Sequence, residues 1–506
     1  MLKSRLHTNI LLSLLACTSI GTSSRADLQK DVQAAVRNAG LGKTVVAVSV
    51  RDTSDSSEVV EILDKRGMIP ASNMKLFTSG AALHRFGPDF LTQTELLIDG
   101  KRLWFVGSGD PALGDPVLLE KTSWSMPTAD GGSRIHDGLE VDLFIDLMIK
   151  SILDAGVDSL DEVIIDDRIF DREYFHPDWP VDQLDKKYCA EVAGTNMHLN
   201  LLTIHAHPGN GSRAKVQRTE PRMPWLDMNM AATNRQGKKD TTTIGVSRLP
   251  GRNNLRVYGN VGEPILVQVT LSNMPEILAR LMEHRLREAG IEVGTVRLAT
   301  ENDPAASGKK ITPTFNTPIA TLITRCNTDS QNLYAESLCK MLGHDVEDDP
   351  GSWTNGTRAV RMVVRERLGP EHAKAFQAAD GSGLSRKNRI TAEMTTAWLS
   401  SLSRDPELGP IYLESLAKVG STGTVRSRGA GLPNGVRVDC KTGYINGVSC
   451  LSGVVTGPDD RQYAFSVLCN DIPGNVPIRS AKKLQDQVVR LLAEDLVKQK
   501  TATGAN

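Results

Sequence analysis

Ser72-Asn73-Met74-Lys75 sets a hydroxyl and an amine three positions apart, shortly after Pro70. Three residues is about one helical turn, so on a helix the two side chains share a face. A serine hydroxyl is a weak nucleophile until a neighbour takes its proton. A lysine takes it only when burial and nearby cations lower its pKa. Near the start of a helix, Ser72 also gains from the positive end of the helix dipole. S-x-x-K alone is common, and a solvated serine and lysine fit it too. The apolar Leu76, Phe77, Ala81, Ala82 and Leu83 argue instead for a central helix.

Three further clusters stand beside it. Ser330-Gln331-Asn332 precedes the helical Leu333-Tyr334-Ala335-Glu336, where a helix cap at Ser330 is the bland alternative. Lys441-Thr442-Gly443 follows Val436-Arg437-Val438-Asp439 and reads as part of a strand, with Gly443 small enough to let a ligand backbone approach. Asp380-Gly381-Ser382-Gly383-Leu384-Ser385-Arg386 reads as a tight turn. Each is ordinary by itself. In the order S-x-x-K, S-x-N, K-T-G, each on a fitting element, they form the signature of active-site serine penicillin-recognising enzymes.

The elements that must hold these residues follow from local pattern. Val45 to Val50 reads as a buried strand, and a helix runs from Pro70 through Ala71 to Phe86, stopping at Gly87-Pro88. Leu103 to Val106 and Val163 to Ile165 are short strands, the first ending in the turn cluster Gly107 to Pro111. Pro275 to Ala289 reads as an amphipathic helix, residues 208 to 256 as irregular chain, and Thr312 to Thr317 as a linker. Near the C-terminus Val436 to Val438, Cys450 to Val455 and Tyr463 to Leu468 read as strands, and Ala481 to Leu496 as a last helix. Strands at both ends with a long middle predict one sheet built from both termini and a large insertion.

The 258-residue gap between Ser72 and Ser330 is far longer than in ordinary β-lactamases. The sequence resembles the class C low-molecular-mass penicillin-binding proteins, D-alanyl-D-alanine carboxypeptidase/endopeptidases of penicillin-binding protein 4 type. The resemblance spans the chain beyond its first residues. It rests on Pro70 to Lys75, Gly107 to Pro111, Trp179 to Asn200, Asp380 to Arg386, Gly420 to Arg428 and Asp439 to Gly443. It implies an α+β multidomain fold: a β-lactamase/transpeptidase-like domain, an antiparallel sheet flanked by helices, with a large two-part insertion after the S-x-x-K helix. The expected catalytic domain is 27–92 with 313–506. The expected insertion is 93–312, divided into about 93–117 with 205–312, and about 118–204.

The resemblance also implies roles. Ser72 is the acylated nucleophile and Lys75 its base. Ser330 relays a proton, and Asn332 holds the substrate amide. Lys441 anchors the substrate carboxylate and lowers the pKa of Lys75, and Thr442 and Gly443 bind the same end. The backbone N–H groups of Ser72 and Tyr444 form the oxyanion hole. Trp179, Asp182 and Tyr188, with Leu384, Arg386 and Ile445, match positions that read the free end of a diaminopimelyl side chain: a carboxylate for an ammonium, an Arg for a carboxylate, apolar walls between. Tyr188-Cys189-Ala190-Glu191-Val192-Ala193 departs from the family's usual form here. The implied reaction is cleavage of D-Ala-D-Ala, or of D-Ala-diaminopimelate cross-links, in peptidoglycan stem peptides, and β-lactam antibiotics form the same acyl-enzyme. A catalytically silent sensor or scaffold and a β-lactamase are the competing readings. No cofactor and no metal are expected; His205 and His207 alternate on a strand without an identifiable third ligand.

Composition sets the outer bounds. The 506 residues are 40% hydrophobic and 24% charged, as in soluble multidomain proteins. A formal net charge of -1 gives no field for nucleic acid, and the stretch Arg213 to Lys239 reads as a solvated loop. Lys3 and Arg5, the apolar run Ile10 to Ala16 and Ser24-Arg25-Ala26 make a secretory signal pattern, with the mature chain expected from about Asp27. Leu14-Leu15-Ala16-Cys17 resembles a lipoprotein box, so a lipid tether at Cys17 is an alternative. Both imply a periplasmic or cell-envelope location, where Cys189, Cys326, Cys339, Cys440, Cys450 and Cys469 could pair or could be small core residues. The C-terminal stretch Lys482 to Lys500 lacks the basic face of a membrane anchor.

Overall fold

Val448–Thr456 is buried at every position, as a strand covered on both faces must be. It lies inside a six-stranded antiparallel sheet, part of a computed structural model that describes residues 25–127, 133–235 and 242–503. The signal pattern before residue 25, the lipid site at Cys17 and the tail of the Arg213 to Lys239 stretch lie outside those residues. The strand order is Ala417–Lys418, Arg437–Ile445, Val448–Thr456, Gln462–Asn470, Val45–Asp52, Glu58–Ile62. Val45 faces Asn470 and Asp52 faces Tyr463, so the N-terminal strands complete a sheet begun near the C-terminus. One face carries the helix Ile478–Thr503, whose Leu484, Val488, Leu492 and Leu496 share a core with Leu28 and Val32 of the helix 25–38. The other face carries Ala392–Ser403, and Trp398 from that helix stacks on Phe77 of Met74–Phe86 with ring centroids 5.2 Å apart.

The chain divides into two compact units. The first, which contains this sheet, comprises residues up to Pro88, Ile323–Ser330 and Val360 onward; the second comprises Asp89–Leu322 and Gln331–Ala359. The second holds a five-stranded mixed sheet in the order Glu292–Leu298, Ser159–Asp166, Arg102–Val106, Leu91–Asp99, Lys309–Pro318. Helices Val141–Asp154 and Met274–Glu288 supply Ile145, Ile149, Leu278 and Leu281 to its core, and buried Arg285 pairs with Asp142 and Asp146. The strand Leu201–His207 pairs with Lys215–Glu220 and Ile265–Thr270.

Two local expectations change. Thr312 to Thr317 is not a linker but part of the edge strand Lys309–Pro318, paired with Leu91–Asp99 through a bulge between Ile311 and Phe315. Pro313 lies in that bulge, at an edge where a missing N–H breaks no ladder. Both paired strands belong to the second unit. The stretch 208 to 256 also contains short strands, among them Met228–Met230, Gly245–Ser247 and Leu255–Tyr258. All six described cysteines are buried thiols without disulfides.

Candidate active site

Pro70 leads into a 3-10 turn, Ala71–Asn73, which continues as the helix Met74–Phe86. Ser72 therefore sits on the turn, half-buried, two residues before the α-helix begins rather than inside it. Lys75 Nζ donates to Ser72 Oγ at 3.1 Å and to the carbonyl of Ser382 at 2.9 Å. The helix is fixed from behind: the Leu76 carbonyl accepts from Trp398 Nε1 at 3.0 Å and from Tyr412 Oη at 2.9 Å.

The Asp380 to Arg386 turn is built around one carboxylate. Asp380 Oδ1 accepts from Gly383 N and Asn388 Nδ2, both at 2.8 Å, and Oδ2 from Ser385 N at 2.6 Å. That holds the Ser382 carbonyl on Lys75. Gly383 has φ +86°, and a Cβ there would lie 1.8 Å from the Ala71 carbonyl oxygen, so the turn lies directly against the segment that carries Ser72.

The K-T-G residues lie on Arg437–Ile445. Lys441 is fully buried, and its Nζ donates to Ser330 Oγ at 2.8 Å and to the Thr442 carbonyl at 2.9 Å. Burial first, then the nearby Lys75, lower its pKa to about 7. Thr442 and Thr424 share a hydroxyl–hydroxyl bond of 2.8 Å. Gly443 is small for a reason other than the one its sequence position suggests. A Cβ there would meet Pro70 O at 2.6 Å and Asn73 Oδ1 at 2.7 Å, so the chain's own turn packs against this side of the strand. Asn73 Nδ2 donates to the Lys441 carbonyl at 3.2 Å and ties turn to strand. Tyr444 is 60% exposed. Arg386 donates to the carbonyl of Asn446 at 2.8 Å, which brings Arg386 beside the half-buried Ile445.

Ser330 is not a helix cap. It has φ 59°, and the helix Asn332–Glu347 starts after Gln331. A left-handed serine is strained, and such strain collects where structure serves function. Within the first unit the structure thus brings together Ser72, Lys75, Ser330 and Lys441, with Thr442 beside them.

Asn332, Trp179, Asp182 and Tyr188 belong to the second unit. Asn332 Nδ2 donates to the Tyr188 carbonyl at 2.7 Å. Asp182 is exposed, and Tyr188 Oη donates to Gln183 Oε1 at 2.8 Å. Trp179 is 3% exposed and packs on His176 and Trp353 as support beneath the segment, where the sequence suggested an open wall. The helix of Asn332 is held by buried Lys340, which donates to Asp171 Oδ1 at 2.6 Å and to the Glu173 carbonyl at 2.8 Å. His205 pairs with Glu220 at 2.9 Å.

A family model decides the kinship: that of the D-Ala-D-Ala carboxypeptidase 3 (S13) family matches residues 28–495. The chain belongs to this family. Among its curated relatives, the D-alanyl-D-alanine carboxypeptidase of Actinomadura sp. (strain R39) is 27% identical, over 96% of this chain and 89% of that one. The D-alanyl-D-alanine carboxypeptidase DacB of Haemophilus influenzae is 23% identical over 80% of each. The crystal structure of penicillin binding protein 4 from Haemophilus influenzae shares the fold, with a TM-score of 0.70 at 19% identity, over 93% of this chain and 99% of that one.

Several residues that support these groups within each unit escape motif reading. Ser382, Asn73, Thr424 and Lys340 act through a backbone carbonyl, a cross-link, a shared hydroxyl and a buried ion pair. Asn73 and Ser382 lie inside the motifs already marked, so their position was a usable signal. Lys340 carried none.

Proposed function

We propose that this S13 protein is a serine DD-peptidase acting on peptidoglycan stem peptides through a Ser72 acyl-enzyme. The observation that carries the proposal is the pairing of two lysines with two serines in one unit: Lys75 with Ser72 at 3.1 Å, and Lys441 with Ser330 at 2.8 Å. Lys75 takes the Ser72 proton as Oγ bonds to the D-Ala-D-Ala carbonyl carbon. The charge that develops on the carbonyl oxygen is met by the N–H groups of Ser72 and Tyr444. Ser330 passes a proton to the departing amine, the C–N bond breaks, and D-alanine leaves. Water then adds to the ester, and Ser72 recovers its proton.

Lys441 and Thr442 receive the substrate carboxylate. Asn332, Asp182, Tyr188, Leu384, Arg386 and Ile445 recognise the rest of the peptide, Asp182 taking an ammonium and Arg386 a carboxylate. Cleavage of a cross-link and of a terminal D-alanine use the same chemistry. β-Lactam antibiotics acylate the same serine. A substrate in the wall places the protein at the cell envelope, and Cys17 is the residue at which a lipid tether would be attached.

The test is intact mass after incubation with benzylpenicillin, wild type beside Ser72→Ala, followed by assay of D-alanine release from muropeptides. A single persistent adduct on wild type alone, with D-alanine released, is expected. No adduct with the drug intact would leave a silent binding protein, and no adduct with the drug consumed would indicate a β-lactamase.

A further inference from the structure

Within the first unit, the turn from Gly420 to Arg428 is fixed at several points. Thr422 Oγ1 accepts from Lys418 N at 2.9 Å and closes its start. Val425 is fully buried, in the core that also holds Val438 and Leu484. Arg428 ties the far end to the helix Ile478–Thr503, donating to Asp486 Oδ1 at 2.8 Å and to the Lys482 carbonyl at 3.1 Å. A Cβ on Gly423 would lie 2.3 Å from the Thr328 carbonyl oxygen, so the turn lies against the segment that leads to Ser330. Thr424, between Gly423 and Val425, is thereby held in place although it is exposed.

The Thr424 hydroxyl meets the K-T-G strand. Its Oγ1 lies 2.8 Å from Thr442 Oγ1, in a bond that is open to solvent. Among the described residues, neither hydroxyl has another protein partner. The pair holds two protons, and the bond between them uses one. Thr442 follows Lys441, whose Nζ reaches Ser330 Oγ at 2.8 Å. The pair therefore stands where Lys441 and Thr442 receive the substrate carboxylate. An ionised carboxylate only accepts, and it has two oxygens to satisfy. One hydroxyl answers one of them. Two hydroxyls 2.8 Å apart answer both, each exchanging a neutral bond for a charge-assisted one that is shorter and about twice as strong.

We propose that Thr424 is a ligand of the substrate's C-terminal carboxylate, its hydroxyl donating to one oxygen while Thr442 donates to the other. That this carboxylate ends a D-Ala-D-Ala peptide rests on the DD-peptidase reading. Thr424 lies outside all three motifs, so a site drawn from S-x-x-K, S-x-N and K-T-G alone is one donor short.

The experiment measures reversible binding to the full chain carrying Ser72→Ala, which cannot be acylated. Saturation-transfer NMR is run with N-acetyl-D-Ala-D-Ala and with its C-terminal amide. Thr424→Val, Thr424→Ser and Thr442→Val are added singly, and the two valines together. Saturable binding of the acid is expected. Thr424→Val should weaken it about tenfold or more, the effect of losing a hydrogen bond to a charged group. Thr424→Ser should leave it nearly intact, and the amide should bind equally with and without Thr424→Val. The loss should recur in the Thr442→Val background, because each hydroxyl serves its own oxygen. A loss that vanishes there would mean that Thr424 only orients Thr442, and an equal loss for acid and amide would mean that it only shapes the strand. Either result overturns the proposal, as does acid binding that ignores Thr424→Val or fails to saturate. Thr424 is exposed, so its replacement spares the fold, and an unchanged melting temperature verifies this. The benzylpenicillin adduct on the chain with Ser72 intact reads the enzyme separately. An adduct with no Thr424 effect on binding fails this inference alone, and no adduct with Thr424-dependent binding fails the peptidase reading alone.

Discussion

Lys441 is the residue whose environment makes the sharpest prediction. Its pKa is drawn down to about 7, chiefly by burial and then by Lys75. Above that pH the ligand-free site holds a neutral amine, while a bound carboxylate favours the ammonium. Binding of a carboxylate-bearing peptide should take up a proton above about pH 7, and KM should rise with pH there. Calorimetric titration in two buffers of different ionisation enthalpy measures the uptake; buffer-independent heats would refute it. The stability consequence has a fixed sign. The unfolded state binds the extra proton between about pH 7 and the ordinary lysine value of 10.5, so stability rises with pH across that window. Lys441→Met should flatten that rise in denaturation curves taken at several pH values. At the same scale, Lys75→Met should slow benzylpenicillin acylation by about a hundred- to ten-thousandfold, the usual contribution of a positioned base. Stopped-flow or quenched mass measurements read that rate.

At the scale of elements, the active site is a set of turns pressed against one another. Gly383→Ala puts a methyl 1.8 Å from Ala71 O, at a backbone angle L-residues avoid, and Gly443→Ala puts one 2.6 Å from Pro70 O. Both contacts are with backbone, which cannot swing aside as a side chain can. Gly383→Ala should lower the melting temperature and slow acylation together, as measured by calorimetry and adduct formation. An unchanged acylation rate would show that the turn does not position Ser72. Side-chain periodicity was enough to find the helix after Pro70 and the strands near Val438, Val454 and Phe465, because those elements are apolar and regular. It was also enough to pair Ser72 with Lys75, since one turn fixes their distance. It could not find the strand 309–318, whose Pro313, threonines and Asn316 look like linker and whose partner lies some two hundred residues away. Nor could it foresee the positive φ of Ser330 or the burial of Trp179, since neither is set by local sequence. Gly443 was marked correctly as a close-approach position, yet the approaching group is the protein's own turn.

On the scale of the whole molecule, the sequence runs back and forth between two units, crossing after Pro88, Leu322, Ser330 and Ala359. The six tryptophans divide unevenly: Trp398 belongs to the first unit, and Trp104, Trp124, Trp179, Trp225 and Trp353 to the second. Urea unfolding followed by tryptophan emission should therefore report mainly the second unit, while loss of penicillin acylation reports the first. The two curves are expected not to coincide, and superimposed transitions would mean that the units unfold as one. The sheet of the first unit has a further consequence, in time. Ile69 N is satisfied by Asn470, across 401 positions of sequence, and Val45–Asp52 has Gln462–Asn470 as its neighbour. On a growing or translocating chain the early strands, paired only with each other, wait for this neighbour until nearly all of the polypeptide has emerged. The nucleophile can be assembled only at the end of that journey, so a chain interrupted short of its last strands carries Ser72 without a site to activate it.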